Sequence, residues 1–288
     1  MTRRILPAAV HRVDGRSRRA DQDLVAVEAP LEVIVTRAGT ADADASPPRS
    51  LGLLMRTPGD DADLVRGALY TEGIVRVVAD IVSLEISASD GTDRPDQAHV
   101  VLAGGADLDH LSTRGFSSTS ACGLCGRAAM LALDRGRSVP AGSPRLDPSI
   151  IASLPARLRT GQAVFDETGG LHAAGLFDCD GTPWLVREDV GRHNAVDKTV
   201  GAALAAGRLP AGDALLVVSG RVAYEIVQKA AVAGVAAVIA VGAPSSLAVE
   251  AARATNLTLV GFARDGKFNV YAGWERIRGS EDPDKASP

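Results

Sequence analysis

The sequence predicts an α/β fold whose main unit is built on a mixed, largely parallel sheet with helices on both faces, joined to a smaller α+β domain. Three stretches carry that expectation. "DALLVVSG" is an apolar run of strand length, and after it Ala223, Ile226, Val227, Ala230 and Ala231 recur at i, i+3, i+4, i+7 and i+8, one apolar helix face. "AAVIAVGAP" and "SSLAVEAARATN" repeat strand and helix, and "LTLVGFAR" with "KFNVYAG" complete the sheet. Strands linked through helices pair in parallel, because right-handed crossovers lay the helices across the sheet.

In chain order, residues 1–25 read as a poorly ordered tail: polar, without periodicity, and with six Arg among the first 19 residues. The 26–115 stretch alternates short apolar runs, "LVAVEAPLEVIVTRAG", "IVSLEISAS" and "AHVVLAGG", around one helical segment, "DDADLVRGALYTEGIV". This is the small α+β domain. Residues 116–276 form the main α/β domain, entered through a Gly/Ser/Thr-rich connection. Helices are expected near Ala128–Leu133 and Asp147–Leu158. "LHAAGLFD" and "PWLVRED" flank Cys179-Asp180-Gly181-Thr182, a hairpin turn with Gly181 as its positive-φ residue. A helix follows from about Asn194. Residues 277–288 are a second polar tail.

Composition narrows the function. Hydrophobic residues make up 46% and charged residues 23%, ordinary for a chain with a real core. Aromatics are 3% and net charge is −4, which argues against nucleic-acid binding, since such proteins need basic surfaces and stacking rings. The longest apolar run, 230–244, is shorter than a membrane span requires, and the Arg-rich start has no apolar segment of a secretory signal. A cytoplasmic protein with no membrane partner is expected. The three cysteines cannot form a disulfide framework, and in a reducing compartment a CxxC is metal-binding or catalytic.

That CxxC lies in "SSTSACGLCGR", as Cys122 and Cys125. Structural zinc needs four ligands, yet neither Cys179 nor His11, His99, His110, His172 or His193 stands at the spacing of a second ligand pair, so no metal site is assigned. A nucleophilic thiolate is the alternative: a helix N-terminus after Gly126 and the charge of Arg127 would lower the thiol pKa. Further on, "REDVGRHNAVDK" gathers Glu188, Asp189, Arg192, His193, Asn194, Asp197 and Lys198 at a strand-to-helix transition. His193 is placed to give or take a proton near pH 7, Asn194 to cap the helix, or the group forms a capping and salt-bridge network. Ligands of open α/β sheets sit beyond the carboxyl ends of the strands. Here those ends are Ser219-Gly220-Arg221, 242–246 and 262–267.

The blocks "CGLCGR", "TGGLHAAGLFD", "EDVGRHNAVDK", "SGRVAYEIVQKA", "APSSLAVEAA" and "LTLVGFARDGKFNVY", with "MRTPGDDADLVRGALYTEGIV" upstream, resemble the formate dehydrogenase accessory sulfurtransferases over about residues 26 to 273. The resemblance implies a sulfurtransferase that accepts sulfur from a cysteine desulfurase and passes it to the molybdenum bis(molybdopterin guanine dinucleotide) cofactor of formate dehydrogenase, binding that cofactor as a client and holding none permanently. It places the persulfide on Cys122, with Cys125 beside it as the second catalytic cysteine. It places the guanine nucleotide moiety on Phe262, Ala263, Arg264, Asp265, Gly266 and Lys267; the residues themselves add Arg221, a cation at a strand-end turn, and His193 as further cofactor-binding candidates. It implies a main domain similar to the cytidine deaminase fold without its zinc, and it is compatible with a homodimer. Two alternatives stand beside it: a cofactor-binding chaperone that transfers no sulfur, and a zinc-dependent deaminase-like enzyme.

Overall fold

The computed structural model describes residues 3–39, 47–89, 94–104 and 144–279. Its first element corrects the expected N-terminal tail. Strands β1 (Ile5–Asp14) and β2 (Ser17–Ala26) form a ten-pair antiparallel hairpin. Few β-branched residues mark it in the sequence. Cross-strand ion pairs, Arg12–Asp21 at 2.8 Å and Arg12–Asp23 at 3.5 Å, hold one face, and the base of β2 packs against a short helix of the main unit.

A four-stranded sheet follows, of β3 (Ala29–Arg37), β4 (Arg49–Arg56), β5 (Ile81–Ser87) and β6 (Asp96–Leu102) in the order β4-β3-β6-β5. Only β3 and β6 pair in parallel. Leu31, Val33, Val35, Ala98, Val100 and Leu102 alternate along β3 and β6 as the buried face, and helix α1 (Asp61–Thr71) covers them with Leu64, Val65 and Leu69. Arg56 ends β4 fully buried. Its guanidinium donates to Asp61 at 3.0 and 3.1 Å, to Asp96 at 2.6 Å and to the Ala29 carbonyl at 3.2 Å, so no charge is left unpaired.

The main sheet has six strands in the order β12-β11-β10-β9-β7-β8. These are β7 (His172–Asp178), β8 (Pro183–Asp189), β9 (Ala214–Val218), β10 (Ala237–Ala240), β11 (Thr258–Arg264) and β12 (Lys267–Ala272). The central trio β9-β10-β11 is parallel, as the crossovers require. The sheet as a whole is not largely parallel, because β7–β8, β7–β9 and β11–β12 are antiparallel. The tight turns at both edges impose that: Gly181, at φ 83°, closes the predicted β7–β8 hairpin.

Helices cover both faces. Leu215 and Val217 point to α2 (Pro148–Arg159), which buries Ile151, Leu154 and Leu158. Leu216 and Val218 point to the other side, where α4 (Arg192–Ala205), α5 (Tyr224–Ala233) and α6 (Ser246–Ala254) lie. Ile226, Val227, Ala230 and Ala231 are buried on α5, as their spacing predicts. The short helix α3 (Ala163–Thr168) has no side-chain cap of its own, and the buried Glu188 carboxylate of β8 accepts from the Val164 and Phe165 amides at 3.0 and 2.8 Å instead.

The small and main sheets share one apolar core through α1 and α4. These helices touch backbone to backbone at two glycines: a Cβ on Gly67 would overlap the Asp197 carbonyl oxygen, and one on Gly201 would overlap the Asp63 carbonyl oxygen. Alanine favours an isolated helix over glycine by about 1 kcal/mol, but overpacking costs about 1–3 kcal/mol or more. Gly67→Ala and Gly201→Ala are therefore expected each to lower stability by about 2 kcal/mol, read as a lower urea midpoint. An unchanged midpoint in both variants would show that the helices separate without cost.

Candidate functional site at the strand ends

The carboxyl ends of β9, β10 and β11 are laced into one floor. The Gly242 amide donates to the Gly220 carbonyl at 3.1 Å, and the Phe262 amide donates to the Gly242 carbonyl at 3.1 Å. Val222 donates to Ala243, and Ser245 donates back to Val222 at 2.9 Å. Gly242 must lack a side chain, since a Cβ there would sit 2.7 Å from the Gly220 oxygen. Ser245 accepts from the Ala248 amide at 3.2 Å and caps α6, so ordinary capping accounts for it.

The 262–267 segment forms the far end of this floor. A register shift between Gly261 and Arg264 lifts Phe262 out of the ladder, where it sits at φ 54° with 38% of its surface exposed. Ala263 is buried beneath it. Arg264 and Lys267 pair across a two-residue turn in which Asp265 (φ 53°) and Gly266 (φ 74°) both have positive φ, the type I′ geometry of tight hairpins. Aspartate tolerates that conformation, which explains an acidic residue between two exposed cations.

At the other end lie His193 and Arg221, with two residues that sequence reasoning did not assign to a ligand, His172 and Arg192. His172 opens β7, and its Nδ1 faces Gly220, where a Cβ would stand 3.2 Å away. Burial, then the Arg192 guanidinium, hold its imidazole below the usual range, with Arg221 adding to this and Asp189 opposing. His193, on the first turn of α4, is pushed down to about 4 by burial, then by Arg192 and Lys229, while Glu225 opposes. It is neutral at pH 7, which narrows the expected proton donor or acceptor to a neutral imidazole. His172 was invisible as a neighbour because only the antiparallel β7–β9 pairing brings it beside Gly220.

Most of "REDVGRHNAVDK" is structural. Lys198 is buried and pairs with buried Asp189 at 2.8 Å, donating also to the carbonyls of Thr57 and Glu188. Asp189 accepts from the amides of Thr57 and Gly191. Asn194 does not cap α4. Its amide donates to the Met55 carbonyl at 2.7 Å and to Asp189 at 3.0 Å, tying β4 to the start of the helix, whose N-cap is Gly191. Deeper in the core, Lys229 donates to both oxygens of Asp197 at 2.8 and 2.9 Å and to Thr71 at 3.0 Å. Burial raises the Asp197 carboxyl despite that pairing.

Cys122 and Cys125, and the helix expected near Ala128–Leu133, lie outside the described residues. Cys179 sits in the β7–β8 turn, where its Sγ donates to the Asp213 carbonyl at 2.9 Å. Burial, then Asp213, Asp178 and Asp180, push its thiol up to about 11, so it is a poor nucleophile at neutral pH. No group of three or more His, Cys, Asp or Glu residues suited to a metal occurs among the described residues.

The fold is that of a mixed α/β protein whose exposed cations and glycine-lined turns gather at the strand ends. The chain belongs to the FdhD/NarQ family, whose model matches residues 26–278. It is 48% identical over 275 residues to a protein of Nocardia farcinica (strain IFM 10152) named "Sulfur carrier protein FdhD", covering 92% of this chain and 91% of the relative. A protein of the same name from Sulfolobus acidocaldarius is 39% identical over 268 residues, covering 93% and 96%. The fold matches the crystal structure of a protein described as a formate dehydrogenase accessory protein from Desulfotalea psychrophila, at TM-score 0.70 and 23% identity over 95% of this chain and 99% of that one.

The depressed His193 has a consequence for pH. The unfolded chain takes up the proton near pH 6.5 and the folded protein only near 4, so stability is full above about 6.5 and falls as the pH drops from there to about 4. The loss is roughly 3 kcal/mol. Histidine proton resonances should show one imidazole titrating near 4 that disappears in His193→Gln, whose acid unfolding profile should be flatter across that window; if the resonance lost in that variant titrates near 6.5 instead, the burial of this ring is contradicted. A second expectation concerns Cys179: at pH 7.5 a thiol alkylating reagent should leave it unmodified in the folded chain and label it on unfolding.

Proposed function

We propose that this chain is a sulfur carrier that serves formate dehydrogenase, and that it acts as a sulfurtransferase with Cys122 as the carrier. The observation that carries the proposal is the close likeness, over nearly the whole chain, to proteins named as sulfur carriers. The Cys122 thiolate attacks the terminal sulfur of a persulfide on a cysteine desulfurase, a new S–S bond forms as the donor's bond breaks, and the donor cysteine leaves as its thiolate. Cys125, three residues on in the sequence, either carries sulfur as well or resolves a disulfide.

The acceptor is the molybdenum bis(molybdopterin guanine dinucleotide) cofactor, held as a client before it reaches formate dehydrogenase. The strand-end cleft supports this reading. Exposed Phe262 offers a ring face to the guanine, Arg264, Lys267 and Arg221 offer cations, and the glycine-lined turns admit close approach of a phosphate. His193 borders the same cleft as a neutral hydrogen-bonding group. The six-stranded unit is read as a deaminase-like scaffold without zinc and the protein as cytoplasmic, a reading compatible with a homodimer. No helix among the described residues is long and apolar enough to cross a membrane.

Mass spectrometry of the purified chain after incubation with a cysteine desulfurase and cysteine should find one extra sulfur atom on Cys122, lost on reduction and absent from Cys122→Ala. In a cell whose only copy carries Cys122→Ala, formate dehydrogenase activity should be abolished while the protein stays folded. An active desulfurase that leaves both cysteines unmodified would favour a cofactor-binding chaperone that transfers no sulfur, and stoichiometric zinc in the purified protein would favour the deaminase-like enzyme.

A further inference from the structure

We propose that Arg192, Arg221, His172 and His193 form an oxyanion subsite that takes a phosphoryl group at the junction of β7, β9 and the N-terminus of α4. The proposal deepens the cofactor reading and rests on it only for the identity of the molecule that carries the phosphoryl group.

Two buried polar atoms point to a ligand. The Nε of Arg192 and the Nε2 of His193 are shielded from solvent and make no hydrogen bond among the described residues. A buried group left so costs about 1–3 kcal/mol, and native structures rarely leave one without a reason. An oxyanion seated between them would accept from both. Both rings are neutral at pH 7, so each carries one N–H.

The charges around the cluster agree. Among the described residues no carboxylate forms an ion pair with Arg192 or Arg221, whereas the nearby cations Lys198, Lys229 and Arg187 are each matched, by Asp189, Asp197 and Asp63. Of the acidic groups that reach the two histidines, Asp189 is held by Lys198, and Glu225 is exposed at the first turn of α5. Helices α4 and α5, whose first turns border the cluster, have no side-chain cap. Uncapped amides and the helix dipole favour an anion there.

Shape selects the chemistry. Gly220 leaves bare backbone opposite His172, and a Cβ at Gly191 would stand 2.9 Å from the Asn194 amide, so the chain keeps both turns free of side chains. Two guanidiniums and two imidazole N–H groups come from three elements, the start of β7, the turn after β9 and the first turn of α4, a donor set that suits the tetrahedral oxygens of a phosphoryl group better than a planar carboxylate. Strands spaced about 4.8 Å apart put Gly220 about 10 Å from Phe262, two strands away. A nucleotide whose base rests on Phe262 can thus extend its phosphates towards the cluster.

The test uses the full chain without sulfur donor or molybdenum cofactor. Inorganic pyrophosphate and, separately, guanosine diphosphate are titrated while histidine side-chain resonances are followed, with wild type, Arg221→Ala and Arg192→Lys compared. Saturable shifts of His172 and His193 with pyrophosphate alone are expected, and Arg221→Ala, a change at an exposed position, should weaken its affinity about tenfold or more, the loss of a charge-assisted hydrogen bond. Arg192→Lys keeps the charge but removes the Nε donor and should weaken it as well. Pyrophosphate that moves neither ring, or that binds all three proteins equally, overturns the subsite. Guanosine diphosphate that binds while both histidines stay unmoved also overturns it and leaves the nucleotide reading intact; pyrophosphate binding in a protein that never accepts sulfur would sustain the subsite and sink the carrier.

Discussion

Everything at the strand ends depends on the crossing of α1 and α4. Gly67 and Gly201 let the two backbones meet without intervening side chains. That approach draws the loop after β4 against the start of α4, where the Thr57 amide and carbonyl engage Asp189 and Lys198. Two buried ion pairs, Lys198–Asp189 and Lys229–Asp197, flank the crossing. A buried pair adds little net stability over an apolar one, but breaking it by removing one partner costs about 3–5 kcal/mol. Their effect is therefore to penalise any other docking of α1 on α4, and the docking fixes where Arg192 and His193 lie.

The floor at the strand ends is built almost entirely from backbone. Three parallel strands end at the same level, and the hydrogen bonds from Gly242 to Gly220 and from Phe262 to Gly242 lock those ends together. Because the floor is rigid, the side chains at its rim need little support. Phe262 is held in a conformation that non-glycine residues seldom adopt, and its ring stays partly exposed. Backbone strain of this kind persists only where the surroundings over-determine it, and here the bulge beside the β11–β12 turn does so.

The sequence made the central β9-α5-β10-α6-β11 core legible because apolar runs and a 3.6-residue period both report on burial, and burial is what those elements share. It gave no such signal for β1 and β2, whose exposed strands are held by pairing and by Arg–Asp contacts rather than by an apolar face. The antiparallel edges were legible as hairpins, yet the placement of β7 next to β9 was not, since strand order is a property of the whole sheet. That single fact hid His172. Within "REDVGRHNAVDK" the residue types suggested a capping and salt-bridge network or a catalytic cluster. The structure divides them: Asp189, Asn194, Asp197 and Lys198 fix the turn and core, and only Arg192 and His193 retain unmatched polar atoms.

That division separates architecture from recognition by a simple physical criterion. A charge that folding uses is buried and matched, as in Arg56 with Asp61 and Asp96, where the pairing holds the guanidinium's proton more tightly than usual and the Ser89 amide, then Arg56, hold Asp96 below the usual carboxylate range. At the strand ends the exposed cations Arg221, Arg264 and Lys267 form no ion pair among the described residues, and the Nε of Arg192 has no hydrogen-bond partner there. Burial first, then the neighbouring guanidiniums, hold His172 and His193 below the usual imidazole range, so at neutral pH the rings add no charge beside Arg192 and Arg221.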